Sequence, residues 1–322
     1  VISPSSILHF NQVKDNLSPD LLYTILGPTA SGKTQLGVAL AKVMNGEVIS
    51  VDSRQVYRGM DIGTGKDLRE YGDVHYHLIN IRNPDERYDV SQFQTDFHTA
   101  YEDILSRSKC PIAVGGTGLY LRSLFVSQPY IQVPVNAPLR EQLLPLTKEE
   151  LRSRLQRYSI PPDFQVDVSS HKRLVRAVEI LEAVRNGLFQ MPSPPAPSYP
   201  AIIFGIDPQV EIRRGRISQR LKERMDEGLE EEVKRLLDMG MTHEDLQYFG
   251  LEYKYTSLYL LGQLDRASFY SKLETEIHRY AKRQMTFFRK MEKEGLLIQW
   301  LQAGSTEDQL QEILHLLANK KR

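Results

Sequence analysis

An α/β fold, a parallel sheet flanked by helices and interrupted by an all-helical insertion, follows from three observations on this 322-residue chain. The first is the octapeptide Gly27-Pro28-Thr29-Ala30-Ser31-Gly32-Lys33-Thr34, set between an apolar run and a helix-like run as in a P-loop NTPase-like unit. The second is Val48-Ile49-Ser50-Val51-Asp52-Ser53 one helix later, which places a carboxylate at a strand's carboxyl end, where α/β sheets bind ligands. The third is the loss of strand pattern beyond Phe125 and its return at Ala201, which makes the core discontinuous.

Each element follows from local pattern. Residues 1–18 read as an irregular lead-in. Leu21–Leu26 is expected to be a buried strand, Thr34–Met44 a helix and Glu47–Val51 the next parallel strand. A helix over Ser91–Ser106 and a strand over Pro111–Val114 continue the core. That strand ends in Gly115-Gly116-Thr117-Gly118, where small residues suit either close approach of backbone to a ligand or a tight turn. From Pro138 to Asn186 the apolar spacing of Leu139, Leu143 and Leu146, and of Leu174, Val178 and Leu181, predicts helices. The proline-rich stretch Gln190–Pro200 breaks that pattern and is expected to be an exposed linker. Ala201–Ile206 returns to the sheet, Arg213–Met239 and Ser268–Glu292 read as long amphipathic helices, and Leu296–Leu301 is a final apolar run. The expected domains are a core of residues 19–125 and 197–322 and an insertion of residues 126–196.

Composition narrows the function. With 41% hydrophobic and 25% charged residues the chain can bury a large core. No stretch is apolar enough to span a membrane and no signal peptide precedes the loop, so a cytoplasmic protein with no membrane partner is expected. Cys110 is the only cysteine, which excludes intrachain disulfides and cysteine-rich zinc sites and leaves it a packing role. His75 and His77 lie two apart in a strand-like run without a visible third ligand, so a structural role is expected for them. The formal net charge is zero, so any nucleic-acid binding must rest on local patches.

The loop points to a polyphosphate. Glycines let backbone N–H groups turn around an anion, Lys33 adds a mobile cation, and Thr34 offers a hydroxyl to Mg²⁺ at a helix N-terminus. Hydrolysis is not implied, because the Pro111–Val114 strand ends in glycines rather than a metal-binding acid and no residue is marked to position water. Asp52 is open to two readings, an indirect Mg²⁺ ligand as in a P-loop kinase or a base facing an incoming nucleophile. Ser53, Arg54 and Gln55 supply donors and acceptors that suit a nucleobase edge better than a simple phosphate acceptor. Arg220 lies in a basic run that a solvated helix face would also explain, and the same holds for Lys172, Arg173, Arg176 and Arg185. Arg279, Lys282, Arg283, Arg289 and Lys290 interleave with Tyr280, Phe287 and Phe288 on a helix whose aromatic side reads as core.

Taken in order, these motifs resemble one family. Gly27–Thr34, Asp52-Ser53-x-Gln55-Val56-Tyr57, Asp61-Ile62-Gly63-Thr64-x-Lys66 and Gly115-Gly116-Thr117-Gly118-Leu119-Tyr120 are similar to successive signatures of tRNA dimethylallyltransferases, also called isopentenyltransferases. The likeness continues through Arg173-Leu174-x-Arg176-Ala177-x-Glu179, Arg216-Ile217-x-x-Arg220, Gly228-Leu229-x-Glu231-Glu232-Val233 and Ala281-Lys282-Arg283-Gln284. The resemblance implies transfer of a dimethylallyl group from dimethylallyl diphosphate to N6 of the adenosine 3′ of the tRNA anticodon. It implies Asp52 as the base, and Lys33 and Arg220 beside the P-loop amides and Mg²⁺ as the charges that receive the leaving diphosphate. It further implies tRNA contacts at Asp52–Gln55, Thr117, Arg140 and the Lys172-Arg173-Leu174-Val175-Arg176 segment, in a bacterial-type enzyme expected to act as a monomer on an anticodon stem-loop.

The chain departs from the family pattern at Gly250-Leu251-Glu252-Tyr253-Lys254-Tyr255, where Gly-Tyr-Lys/Arg is usual, so a basic contact is expected to shift to Lys254. There is also no C-terminal Cys/His zinc finger. Two other readings remain open at the level of sequence: a P-loop enzyme of free adenine nucleotides (an adenylate prenyltransferase or nucleotide kinase), and a non-catalytic RNA-binding NTPase module.

Overall fold

The computed structural model describes residues 18, 20–161, 164, 169–189 and 199–319. Most of the lead-in and residues 190–198 of the proline-rich stretch lie outside these. The chain divides into two compact units, residues 1–125 with 199–322 and residues 126–198.

The first unit is built on six parallel strands: β1 (Leu22–Leu26), β2 (Gly46–Val51), β3 (Tyr76–His77), β4 (Cys110–Gly115), β5 (Ala201–Ile206) and β6 (Ile298–Leu301). Their order is β3-β2-β4-β1-β5-β6. Leu26 and Val51 both pair with Gly115, and Leu26 also pairs with Gly205. Four strands therefore end level, and Gly27, Asp52, Gly116 and Asp207 emerge together at one edge.

Both faces of the sheet are covered, as a parallel sheet requires. Along β1, Leu22 and Leu26 face one core while Tyr23 and Ile25 face the other. The second core receives α1 (Lys33–Met44), through Leu36 and Leu40, and α12 (Thr306–Ala318), through Leu310 and Leu314. The first receives α2 (Val90–Ser106), opened by an Asp89–Gln92 capping box, and α3 (Gly118–Phe125). It also holds residues of α8 (Leu229–Asp238), α9 (His243–Tyr248), α10 (Leu251–Leu260) and α11 (Arg266–Lys293). A satellite cluster joins α7 (Val210–Asp226) to α11 through Ile217, Leu221, Phe269 and Leu273.

The second unit is all helical among its described residues, with α4 (Ala137–Leu143), α5 (Lys148–Leu155) and α6 (His171–Arg185) around Leu143, Leu151, Leu174 and Val178. Its buried Glu179 accepts two hydrogen bonds from Arg140, at 3.0 and 2.5 Å.

Three features differ from the sequence reading or go beyond it. The single helix expected over Arg213–Met239 is two, because Gly228 adopts a left-handed conformation (φ 101°) between α7 and α8. The run at Leu296–Leu301 supplies edge strand β6, paired to β5, and α12 follows it without having been marked by pattern. The glycines after β4 answer to packing: a Cβ on Gly115 would lie 2.1 Å from the Val51 carbonyl oxygen, and one on Gly118 would lie 2.4 Å from the Phe287 ring.

Two glycine substitutions separate these effects. Gly115→Ala must push β2 away from β4 and is expected to lose about 1–3 kcal/mol. Gly215→Ala, inside α7 with nothing within 4 Å of its Cβ position, is expected to be neutral or to gain up to about 1 kcal/mol. Urea unfolding of the two variants measures both.

Candidate active site

The P-loop is closed on itself before any ligand is considered. Ala30 and Gly32 both take positive φ, 58° and 87°, which turns the chain tightly into α1. The Lys33 ammonium donates back to the Pro28 carbonyl at 3.2 Å. No side chain caps α1, so its first N–H groups are left for an anion. The Ser31 hydroxyl is buried inside the loop with no hydrogen-bond partner among the described residues.

Cations gather on this loop from α7. Arg216, Arg220 and Arg224 share one face at i, i+4 spacing, and all three line a cavity of about 1040 Å³ beside Ala30–Gln35. Arg216 reaches the Ser31 carbonyl at 3.4 Å. Arg220 donates to the Gly65 carbonyl at 3.1 Å and pairs with Asp67. Arg224 pairs with Glu252 at 2.6 Å. Loss of solvent around the ammonium, with the Arg220 charge nearby, lowers the Lys33 pKa to about 8, while the Asp52 carboxylate opposes that shift.

Asp52 stands at the end of β2. Its Oδ1 accepts the Arg54 N–H at 2.8 Å and the Gln55 N–H at 3.4 Å, and its Oδ2 accepts no hydrogen bond among the described residues. Thr117 lies alongside, its hydroxyl accepting the Ser53 N–H at 3.1 Å. The Gln284 side chain joins this side to the P-loop: its amide donates to the Gly116 carbonyl at 2.8 Å and accepts the Thr29 N–H at 2.9 Å. The structure thus brings together Gly27–Thr34, Asp52–Gln55, Thr117 and Arg220.

It gives the insertion residues different roles. Lys172 and Arg173 are exposed at the start of α6. Leu174 and Val175 are buried in the insertion's own core, so their side chains pack and do not offer a contact surface. Arg140 is committed to Glu179, and Arg176 donates to the Val133 carbonyl at 2.5 Å.

The divergent segment lies within the first unit. Residues 251–260 form α10, in which Tyr253 is fully buried and donates to Glu232 at 2.7 Å, while Lys254 lies 5.5 Å from the Tyr255 ring centre. Tyr253 and Glu252 join this segment to Glu232 and Arg224. The aromatic side of α11 divides, with Phe288 fully buried but Tyr280 38% exposed, its hydroxyl pKa raised by loss of solvent around the oxygen and then by the Asp52 carboxylate.

Other residues near the site escaped the sequence reading. Arg224 was signalled only by its spacing from Arg220, and Arg216 and Gln284 only by standing at the ends of family motifs. Tyr248 carries two guanidinium groups, from Arg54 at 4.3 Å and Arg87 at 4.5 Å from its ring centre, which join residues distant in sequence. Away from the site, Glu47 joins His75 and His77 as a group whose ligand atoms lie within 4.8 Å of one another and could hold a metal ion. Arg107 already engages both oxygens of that carboxylate, and hydrogen bonds from Arg107 and His77 hold its pKa near 2 despite burial.

A polyphosphate cradle on the same sheet edge as a strand-end carboxylate fits a P-loop group-transfer enzyme. The chain matches the family model for IPP transferases over residues 55–291 and that for isopentenyl transferases over residues 20–72. It is 48% identical to tRNA dimethylallyltransferase 1 of Geotalea daltonii, over 93% of this chain and 96% of that one. It is 46% identical to tRNA dimethylallyltransferase 2 of Syntrophotalea carbinolica, over 92% and 98% of the two chains. The crystal structure of the tRNA isopentenylpyrophosphate transferase of Bacillus halodurans superposes with a TM-score of 0.66 at 31% identity, covering 93% of this chain and 96% of that one. The chain belongs to the tRNA dimethylallyltransferase family of prenyltransferases.

The Lys33 pKa sets a pH dependence. A lowered lysine pKa means that the cation is present below about 8 and lost above it. The kcat/KM for a diphosphate substrate is therefore expected to fall as pH rises through about 8, since it reports the free enzyme. The kcat profile should stay flat to higher pH, because a bound anion favours the charged lysine. Initial-rate kinetics between neutral and alkaline pH check both limbs.

Proposed function

We propose that this protein transfers a dimethylallyl group from dimethylallyl diphosphate to N6 of the adenosine immediately 3′ of the anticodon in tRNA, releasing diphosphate. The observation that carries the reading is the Asp52 carboxylate, held by two backbone N–H groups through one oxygen and tied through Ser53 to Thr117, on the same sheet edge as the P-loop. An exocyclic adenine amine is a weak nucleophile because its lone pair is delocalised into the ring. As its nitrogen bonds to the allylic carbon, Asp52 takes the proton and the carbon–oxygen bond to diphosphate breaks.

The leaving group gains charge at that moment. Lys33, the loop N–H groups and Arg220 lie where they stabilise it, with Arg216 beside them. The donor set also suits Mg²⁺: the Thr34 hydroxyl makes no hydrogen bond among the described residues, and hard oxygen ligands beside phosphates are what that ion prefers. Thr34 would hold the ion, which when bound neutralises charge on the diphosphate.

On the acceptor side, Ser53, Arg54 and Gln55 address the target base, and Tyr248 with its two guanidinium groups offers a surface on which a nucleotide can stack. Lys172 and Arg173 contribute phosphate contacts from the insertion. A duplex would hide the adenosine, so it must be presented from a loop and drawn out of its stack. Such an acceptor agrees with a monomeric cytoplasmic enzyme, and no helix among the described residues is long and apolar enough to cross a membrane.

The deciding experiment incubates the protein with labelled dimethylallyl diphosphate and an anticodon stem-loop, AMP or ATP, and identifies the product. The stem-loop is expected to be prenylated far better than either nucleotide; equal use of AMP would make this a free-nucleotide enzyme. Asp52→Asn should slow single turnover by roughly 10²–10⁴-fold with stem-loop affinity nearly unchanged. Replacing Lys172 and Arg173 together by alanine should weaken stem-loop binding and lessen its salt dependence, with donor binding unaffected. Arg176 is left in place because its guanidinium also holds the Val133 carbonyl.

A further inference from the structure

One buried carboxylate holds a turn that touches both halves of the site. Glu232, on α8, is 1% exposed. Its Oε2 accepts the backbone N–H groups of Asp61 and Ile62 at 2.8 and 2.9 Å, and its Oε1 accepts those of Gly63 at 2.9 Å and the Tyr253 hydroxyl at 2.7 Å. A carboxylate has about four lone-pair directions, and four donors use them here. The fit leaves no slack, since a Cβ on Gly63 would lie 2.5 Å from the Tyr253 ring. The other end of the turn is fixed by Lys66, whose buried ammonium donates to the Asp61 and Asn80 side chains, each at 2.6 Å.

Between those anchors the Gly65 carbonyl accepts two hydrogen bonds, both at 3.1 Å. One comes from the Gln55 side-chain amide and the other from the Arg220 guanidinium. Gln55 belongs to the acceptor side, its N–H donating to Asp52 and its side-chain oxygen accepting from Ser50 at 2.9 Å. Arg220 belongs to the donor side. One backbone oxygen is thus a common reference point for the group that faces the base and the group that faces the diphosphate.

We infer that Glu232 is a positioning residue for the transfer reaction. It acts through the Asp61–Gly65 turn, setting the Gly65 carbonyl at the position that aims Arg220 at the diphosphate and Gln55 at the acceptor base. This rests on the assignment of those two residues made above. The segment 250–255 gains a purpose from it: Tyr253 completes the Glu232 shell, and Glu252 holds Arg224 with its guanidinium packed against the same glycine, where a Cβ would lie 1.8 Å from it.

The test uses the full chain with Glu232→Gln and Tyr253→Phe, dimethylallyl diphosphate and the anticodon stem-loop. Glutamine keeps the volume but turns N–H toward N–H, whereas phenylalanine keeps the ring and removes one donor. Single-turnover amplitude counts competent molecules and the rate constant reports alignment. Glu232→Gln is expected to keep its amplitude while the rate falls by about 10²-fold, with Tyr253→Phe showing a smaller fall. Adding Arg220→Ala to Glu232→Gln should cost much less than Arg220→Ala alone, because the two act on one alignment. A reduced amplitude with an unchanged rate would make Glu232 merely structural and overturn the inference. Should Glu232→Gln not fold, Tyr253→Phe decides alone, and an unchanged rate in it overturns the inference. If Arg220→Ala and Gln55→Ala are themselves without effect, the site assignment fails and the positioning role falls with it.

Discussion

Like charges gathered around the N–H groups that open α1 are the constraint on which the rest of this structure turns. Arg216, Arg220 and Arg224 repeat at i, i+4 on α7, a spacing at which equal charges repel, and Lys33 points into the same region. Each arginine has a local partner: Ser31 for Arg216, Asp67 for Arg220 and Glu252 for Arg224. Burial first, and the Arg220 charge second, make the lysine hold its proton less tightly. The diphosphate of the proposed donor would bind among these cations, first as substrate and then, with more charge, as leaving group.

The sheet and the helices behind it turn this field into a reaction site. Level endings of β1, β2, β4 and β5 place the P-loop, Asp52 and the Gly116 turn side by side, and Gln284 ties the first of these to the last with two hydrogen bonds. The Asp61–Gly65 turn then links Gln55 to Arg220 through one carbonyl. Gln284 is buried and Gln55 and Arg220 are partly buried, and these ties preorganise the proposed proton acceptor and leaving-group cations with respect to each other.

Much of this was legible in the sequence because it is local. The P-loop, the Asp52 strand end, the helical insertion and the return strand Ala201–Ile206 each announce themselves by a contiguous pattern. What escaped depends on contacts between distant segments. Nothing near Glu232 reveals that it receives three N–H groups from residues some 170 positions earlier, or that Tyr253 shares it. The pairing of Glu47 with both His77 and Arg107 was hidden for the same reason. Motif reading also overextended where a contiguous segment mixes roles: in Lys172–Arg176 the exposed Lys172 and Arg173 alternate with Leu174 and Val175, which the helix period turns into the core. The break at Gly228 was missed because the amphipathic pattern continues across it, while the backbone does not.

The claim that a diphosphate occupies this cradle is open to direct observation. Amide and arginine side-chain resonances can be followed by nuclear magnetic resonance as inorganic diphosphate is added to the protein without RNA. The account predicts saturable shifts concentrated at the N–H groups of Ser31, Gly32, Lys33 and Thr34 and at the guanidinium of Arg220. Saturable shifts confined to the insertion, or none at the P-loop at saturating diphosphate, would contradict it.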